Sequence, residues 1–253
     1  MKQLNPGALY IVATPIGNMG DITLRAIETL KNADLVACED TRVTGSLLHK
    51  LEIKKPMKAL HQHSDDKVIS ELVERLIGGE SIAYVTDGGT PGISDPGQRL
   101  VAEIRNINNR HPEELRELQN YLEDSSLPQN DIKIIPIPGA SAVTSAISVS
   151  GMVEKEFYFA GFLPKKKGRQ TELKYLATIK APIVIYESAF RIEKTLKVLV
   201  EFFGEDCQVF LAREMTKMFE EYWAGNIVQV LDELKNHKIK GEFVVIVKRA
   251  KGK

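Results

Sequence analysis

The sequence predicts an α/β fold divided into two α/β domains. Three observations carry this expectation. Strand-like apolar runs alternate with helical patterns through almost all of the 253 residues, the mark of strands joined by helical crossovers. Irregular loops rich in glycine and proline follow several of those runs, at the place where an open α/β sheet collects ligands. The rhythm restarts near Gly151, which sets residues 1–150 apart from residues 151–253, each long enough to bury a core of its own.

The elements follow in order. Residues 9–13 read as the first strand, and a helix from about Ile22 to Asn32 comes next with Asp21 as its expected N-cap. Residues 35–38 and 57–60 read as short strands on either side of a helix starting near Val43. In residues 65–77, Val68, Leu72, Val73, Leu76 and Ile77 fall on one helical face, and Gly78-Gly79 ends the helix. Residues 81–86 form a buried strand, and Pro96 suits the first turn of the helix behind it. A fifth strand at 134–137 leads through Pro138-Gly139-Ala140-Ser141-Ala142 into another helix. Beyond Gly151, strands are expected at 158–162, 183–186, 209–212, 221–224 and 243–247, with helices near 170–178, 192–202 and 227–237. The link between the third and fourth of these strands is too short for a helical crossover, so antiparallel pairs are expected in this half. Residues 107–131 stand apart as a polar, interrupted stretch in which Pro112 can begin a short helix carrying Leu115, Leu118 and Leu122. This stretch is either a surface excursion or a packing element for a second subunit.

Composition excludes more than it identifies. Hydrophobic residues at 43% and charged residues at 27% describe an ordinary soluble chain. Lys+Arg and Asp+Glu are equal at 34 each, so no global field draws the protein to nucleic acid or membrane, and any RNA contact rests on a local patch. Cys38 and Cys207 are the two cysteines and form no CxxC, which argues against a disulfide framework and a thiolate zinc site and suits a reducing cytoplasm. His61 and His63 lack an HExxH pattern or a carboxylate spaced to complete a metal site, so no metal is expected. No run reaches membrane-spanning length, and the first residues lack the apolar core of a signal peptide. The densest basic cluster, Lys165-Lys166-Lys167-Gly168-Arg169, is either a solvated loop or a phosphate contact.

The most informative stretch is Asp87-Gly88-Gly89-Thr90-Pro91-Gly92-Ile93-Ser94-Asp95-Pro96-Gly97. It is longer than a strand-to-helix turn needs. Its glycines let backbone approach a ligand closely, its prolines fix direction, and Asp87, Thr90, Ser94 and Asp95 offer oxygens. Either it is an elaborate turn or it cradles a ligand. No GxGxxG follows the first strand and no GxxxxGK[ST] occurs, so dinucleotide and P-loop readings lose their main support.

Taken in chain order, Ala13-Thr14-Pro15-Ile16-Gly17-Asn18, Gly20-Asp21-Ile22-Thr23-Leu24-Arg25-Ala26, Glu39-Asp40-Thr41-Arg42, the glycine loop and Pro138-Gly139-Ala140-Ser141-Ala142 resemble the tetrapyrrole methylase superfamily. Within it the chain looks most like the branch that methylates ribosomal RNA. Tyr186-Glu187-Ser188, Arg191, Ala212-Arg213-Glu214, Thr216-Lys217 and Gly241-Glu242-Phe243 extend the resemblance over nearly the whole chain. It implies two α/β domains with a cofactor cleft between them, S-adenosyl-L-methionine as methyl donor, and transfer to the ribose 2′-oxygen of a cytidine in 16S rRNA within the small ribosomal subunit. A homodimer is implied as well. The sequence departs from the family at Tyr186-Glu187-Ser188-Ala189-Phe190-Arg191, where Pro-His is usual and this chain has Ala189-Phe190. No histidine role is therefore carried over.

The same resemblance implies the site. Pro15, Gly17, Asp87, Gly89, Thr90, Ile93, Ser94, Ser141, Ala142, Tyr186, Ala212 and Glu242 are expected to bind the cofactor, with amides at the helix start near Ser141 facing its carboxylate. On the acceptor side, Asp40 and Glu187 are the candidate bases, and Arg42, Arg191 and Lys217 the cations for phosphate or alkoxide. Glu39, Asp40 and Arg42 read equally as an ion-pair network at a helix start. Two other functions remain open at this stage: methylation of a precorrin-type tetrapyrrole, and cofactor binding without turnover, to which Phe190 lends support.

Overall fold

The computed structural model describes residues 4–5, 7–61, 66–109, 131–237 and 239–250. His63 and the expected helix after Pro112 lie outside these residues. The chain divides into two compact units, Met1–Ala140 and Ser141–Lys253. Helix α5 (Ala142–Ser150) thus groups with the second unit, where it packs against the last strand.

The first unit is a parallel five-stranded sheet in the order β3-β2-β4-β1-β5. Its strands are β1 (Ala8–Val12), β2 (Leu35–Cys38), β3 (Met57–Ala59), β4 (Ile82–Val85) and β5 (Lys133–Ile137). β2 and β4 are buried at every position, as strands covered on both faces must be. Side chains alternate across the sheet. Tyr10, Val12, Val36 and Val85 face one cluster with Leu30 of α1 (Leu24–Asn32) and Leu48 of α2 (Thr41–Lys50). Leu9, Leu35, Ile82 and Tyr84 face the other with Leu72 and Leu76 of α3 (Asp66–Ile77) and Leu100 and Ile104 of α4 (Gly97–Asn108). Pro136 is accommodated because β5 is an edge strand.

The sequence misplaces one cap. Asp21 closes a 3₁₀ turn (Met19–Asp21), and the cap of α1 is Thr23, whose hydroxyl accepts from the Ala26 N–H at 3.0 Å. The turn takes up the residue expected to cap the helix, and α1 begins at Leu24 rather than near Ile22. Pro96 precedes α4 as its cap residue and leaves Gly97 as the first helical position.

The second unit is a mixed sheet in the order β6-β7-β10-β8-β9. Its strands are β6 (Tyr158–Phe162), β7 (Ile183–Ser188), β8 (Gln208–Arg213), β9 (Glu221–Asn226) and β10 (Glu242–Lys248). β6 and β7 run parallel, and β7–β10, β10–β8 and β8–β9 are antiparallel. One face carries Ile183, Ile185, Val209, Leu211, Phe243, Val245 and Val247. Helices α6 (Arg169–Leu176), α7 (Ile192–Phe203) and α8 (Ile227–Leu234) cover it.

Leu199 of α7 is fully buried in this cluster. Leu199→Ala is expected to cost about 2–5 kcal/mol of stability, read by urea unfolding followed through Trp223, the single tryptophan, which lies in the same cluster.

Candidate active site

In the first unit, the loops that leave the carboxyl ends of β1, β2, β4 and β5 are joined to one another. Thr14 and Gly89 exchange two backbone hydrogen bonds of 3.0 Å, which ties the loop after β1 to the loop after β4. Gly89 makes this approach with φ near +90°, a conformation that side chains resist. The Thr90 hydroxyl donates to the Ala140 carbonyl at 2.9 Å and the Ala13 N–H to Ile137 O at 3.1 Å, so the loop after β5 joins the same cluster. The Asp40 N–H donates to Asp87 Oδ1 at 3.1 Å, and the Asp87 N–H donates back to the Glu39 carboxylate. Loop and loop are thereby cross-linked at the ends of β2 and β4.

Some residues expected to face a ligand hold the loop instead. Asp95 accepts from Gly92 N at 2.5 Å, from Gly97 N at 2.9 Å and from the Tyr84 hydroxyl at 3.1 Å. A Cβ on Gly97 would overlap the Tyr84 ring. Asp95 is thus the internal brace of the loop. Asp87, Thr90, Ile93 and Ser94 keep some exposure on it, as do Pro15 and Gly17 in the loop after β1.

Asp40 caps α2, its carboxylate accepting from Arg42 N at 2.8 Å and pairing with the Arg42 guanidinium through both oxygens. Hydrogen bonds from Arg42 hold this carboxyl well below the usual carboxylate range, so it is a weak proton acceptor. Arg42 remains 88% exposed at its side chain despite the pair. Burial first, and then the neighbouring Asp87 and Asp95, push Glu39 upward. Burial does the same to Asp87, with Asp40 adding to it. Sequence reasoning passed over Glu39 as a base because identity and spacing do not reveal which carboxylate of a cluster is paired.

In the second unit, Tyr186, Val244 and Ala212 lie in register across β7, β10 and β8. The Val143 N–H at the start of α5 donates to the Tyr186 hydroxyl, whose pKa burial pushes up to about 12. Glu187 is fully buried at its side chain. It accepts from Thr195 Oγ1 at 2.6 Å and Ser188 N at 2.9 Å, with Arg191 Nε at 3.3 Å. Arg191 also donates to Leu163 O at 2.7 Å, and Arg169 to Thr195 Oγ1 at 2.8 Å and Pro164 O at 3.2 Å. The basic cluster therefore splits: Arg169 turns inward while Lys165, Lys166 and Lys167 stay exposed. Lys217 donates to Glu214 Oε1 and Glu242 Oε2, each at 2.9 Å. Burial opposes its charge, yet these two carboxylates hold its pKa above the ordinary lysine value.

Among the described residues, the buried hydroxyls without a hydrogen-bond partner are those of Thr44 and Thr216 and two on the expected cofactor loops, Thr14 Oγ1 and Ser141 Oγ. Ser141 occupies the N-cap position of α5 without capping it. Buried polar groups are rarely left unpaired, and Thr14 and Ser141 lie within loops singled out as cofactor loops. Among the described residues, no three His, Cys, Asp or Glu side chains are grouped to hold a metal ion, and no helix is long and apolar enough to cross a membrane.

Comparison with known proteins accounts for this arrangement. The family model of tetrapyrrole (corrin/porphyrin) methylases matches residues 8–111 and 120–231. The chain belongs to the tetrapyrrole methylase family. Relatives named ribosomal RNA small subunit methyltransferase I include one from Leptospira biflexa, 42% identical over 97% of this chain and 92% of its own length. Another, from Thermotoga maritima, is 39% identical over 95% of this chain and 98% of its own. The fold is shared with uroporphyrin-III C-methyltransferase from Thermus thermophilus, with a TM-score of 0.62 at 16% identity over 96% of this chain and 94% of that one. A second structure of that enzyme, complexed with S-adenosyl homocysteine, gives a TM-score of 0.59 at 14% identity, covering 95% of this chain and 97% of that one.

Family membership makes S-adenosylmethionine the methyl donor, and the residues present fit it. The unpaired hydroxyls of Thr14 and Ser141 offer partners for polar groups, and the Glu39–Asp87 carboxylates suit a sulfonium cation. Because burial raises the Glu39 pKa, its favourable contribution to folding is intact below about pH 4.3, the ordinary glutamate value, and is lost as pH rises through the folded value. Glu39→Gln is accordingly expected to stabilise the protein at pH 7 to 8, with the gain disappearing near pH 4 in urea titrations.

Proposed function

We propose that this protein transfers a methyl group from S-adenosylmethionine to the ribose 2′-oxygen of a cytidine in 16S rRNA, within the small ribosomal subunit. The observation that carries the reading is the joined set of loops at Thr14, Glu39–Asp40, Asp87–Gly92 and Ala140, together with near-full-length relatives named for this class of RNA. We assign Pro15, Gly17, Asp87, Gly89, Thr90, Ile93, Ser94, Ser141, Ala142, Tyr186 and Ala212 to cofactor binding, and add Thr14. A homodimer acting in the cytoplasm is part of the same proposal.

The cofactor supplies a methyl group already activated by its sulfonium, so the protein's main task is alignment, which can contribute on the order of 7–11 kcal/mol. The 2′-hydroxyl must give up its proton as its oxygen bonds to the methyl carbon and the carbon–sulfur bond breaks. Glu39 is the carboxylate we assign to receive that proton, because its pKa is raised where that of Asp40 is lowered. Asp40 positions Arg42, whose exposed guanidinium remains open to a phosphate. Glu187 and Arg191 brace the turn after β7, and Lys217, engaged by two carboxylates, holds Glu242.

The test is incubation of the protein with radiolabelled S-adenosylmethionine and undermethylated small subunits, followed by nuclease mapping of the label. Label on a 2′-oxygen of 16S rRNA is expected; label only on a free tetrapyrrole would overturn the reading. Thr14→Val is expected to weaken cofactor binding about two- to tenfold by calorimetry, as for one lost hydrogen bond. Glu39→Gln is expected to slow transfer by roughly 10²–10⁴-fold, whereas Asp40→Asn falls short of that loss.

A further inference from the structure

One edge of the second sheet gathers features that the cofactor chemistry does not use. β6, β7 and β8 end there and β10 begins there. The turn after β7 is held to the start of β10 by Ala189 N donating to Gly241 O at 3.0 Å, and the loop after β8 by Glu214 N donating to Glu242 O at 3.0 Å. Three large apolar side chains on these loops face solvent: Phe190 at 100% exposure, Met218 at 90% and Phe219 at 65%. A single exposed phenylalanine is ordinary, but three such residues on one edge mark a contact surface.

The loop that carries Met218 and Phe219 is strained. Glu214 and Thr216 adopt φ of +48° and +66°, and for a β-branched threonine that conformation is a genuine outlier. Thr216 Oγ1 is buried without a partner. The two Lys217 ion pairs, to Glu214 and Glu242, fasten this conformation to β10. Such strain persists where a surface must be presented in one shape. Lys165, Lys166 and Lys167 follow β6 at the same edge and Lys240 precedes β10; all four are exposed, with no acidic partner among the described residues.

Exposed aromatic rings interleaved with unpaired lysines fit single-stranded nucleic acid, whose bases stack on rings while ammonium groups take the phosphates. We propose that this edge binds unpaired nucleotides of the RNA substrate, with Phe190 and Phe219 as stacking platforms and Lys165, Lys166, Lys167 and Lys240 as phosphate contacts. The proposal rests on the reading of this protein as an RNA methyltransferase and locates part of its substrate surface. Phe190 then serves recognition rather than proton transfer.

The test uses the full-length protein and a fluorescein-labelled short single-stranded RNA of mixed sequence, with a hairpin of the same composition as control. Phe190→Ala and Phe219→Ala are each expected to weaken binding of the single strand by roughly five- to a hundredfold, with S-adenosylhomocysteine affinity unchanged. Phe190→Trp is expected to restore binding and Phe190→Leu is not, which separates stacking from mere apolar contact. Replacing Lys165, Lys166 and Lys167 with alanine is expected to reduce the slope of log affinity against log salt by about 0.7 for each lysine. Unaltered RNA binding by the double phenylalanine variant, while wild-type protein methylates small subunits, would overturn this proposal and leave the proposed function standing. Equal binding of the hairpin, or conversion of a dimer to monomer by the same variants, would also overturn it, the latter by assigning the edge to a second copy. Absence of transfer from wild-type protein to any RNA would remove the proposed function and this surface with it.

Discussion

The two backbone hydrogen bonds between Thr14 and Gly89 fix the loop after β1 against the loop after β4, and the rest of the site in the first unit is arranged around that contact. β4 lies between β1 and β2 in the sheet, so its loop can reach both neighbours. It does so through Gly89 on one side and Asp87 on the other. A loop of eleven residues (87–97) with two prolines and several glycines would otherwise have many conformations to lose. Asp95 removes most of that freedom from within by gathering two backbone amides and the Tyr84 hydroxyl on one carboxylate. The result is a set of backbone and hydroxyl groups held by the sheet before any ligand arrives, which is what a reaction dominated by alignment requires.

Carboxylates of one kind are given different properties by their surroundings. Asp40 is fastened to an exposed guanidinium and stays ionised, while Glu39, one residue earlier, is driven upward by burial and by like charge. Glu187 is ringed by donors from Ser188, Thr195 and Arg191 inside the second unit. That network shapes the turn after β7 and leaves Phe190 outward as its exposed tip. The division of labour follows general reasoning about environment and pKa: paired carboxylates build the frame, and those pressed together keep proton affinity.

Much of the architecture was legible in the chain. Continuous apolar runs such as residues 35–38 and 82–85 could only be strands buried on both faces, and the period of α3 announced its buried stripe. The short link from β8 to β9 forced antiparallel pairing. What could not be read were choices among equivalent side chains. Asp21 and Thr23 are both acceptable caps, and the 3₁₀ turn that decides between them is a tertiary outcome. Asp95 looked like a ligand oxygen because nothing in the sequence places the Tyr84 ring and the Gly92 and Gly97 amides around it. Lys217 looked free because its two carboxylates are separated from each other by twenty-seven intervening positions and meet only when β8 and β10 pair.

The central claim is that the joined loops of the first unit receive the cofactor. Hydrogen exchange with and without S-adenosylhomocysteine tests it most directly. The account predicts added protection at the amides of Thr14, Gly88–Thr90 and Gly92, with the amides of α3 and α8 unchanged. Binding that leaves those amides unprotected and slows exchange elsewhere would contradict it.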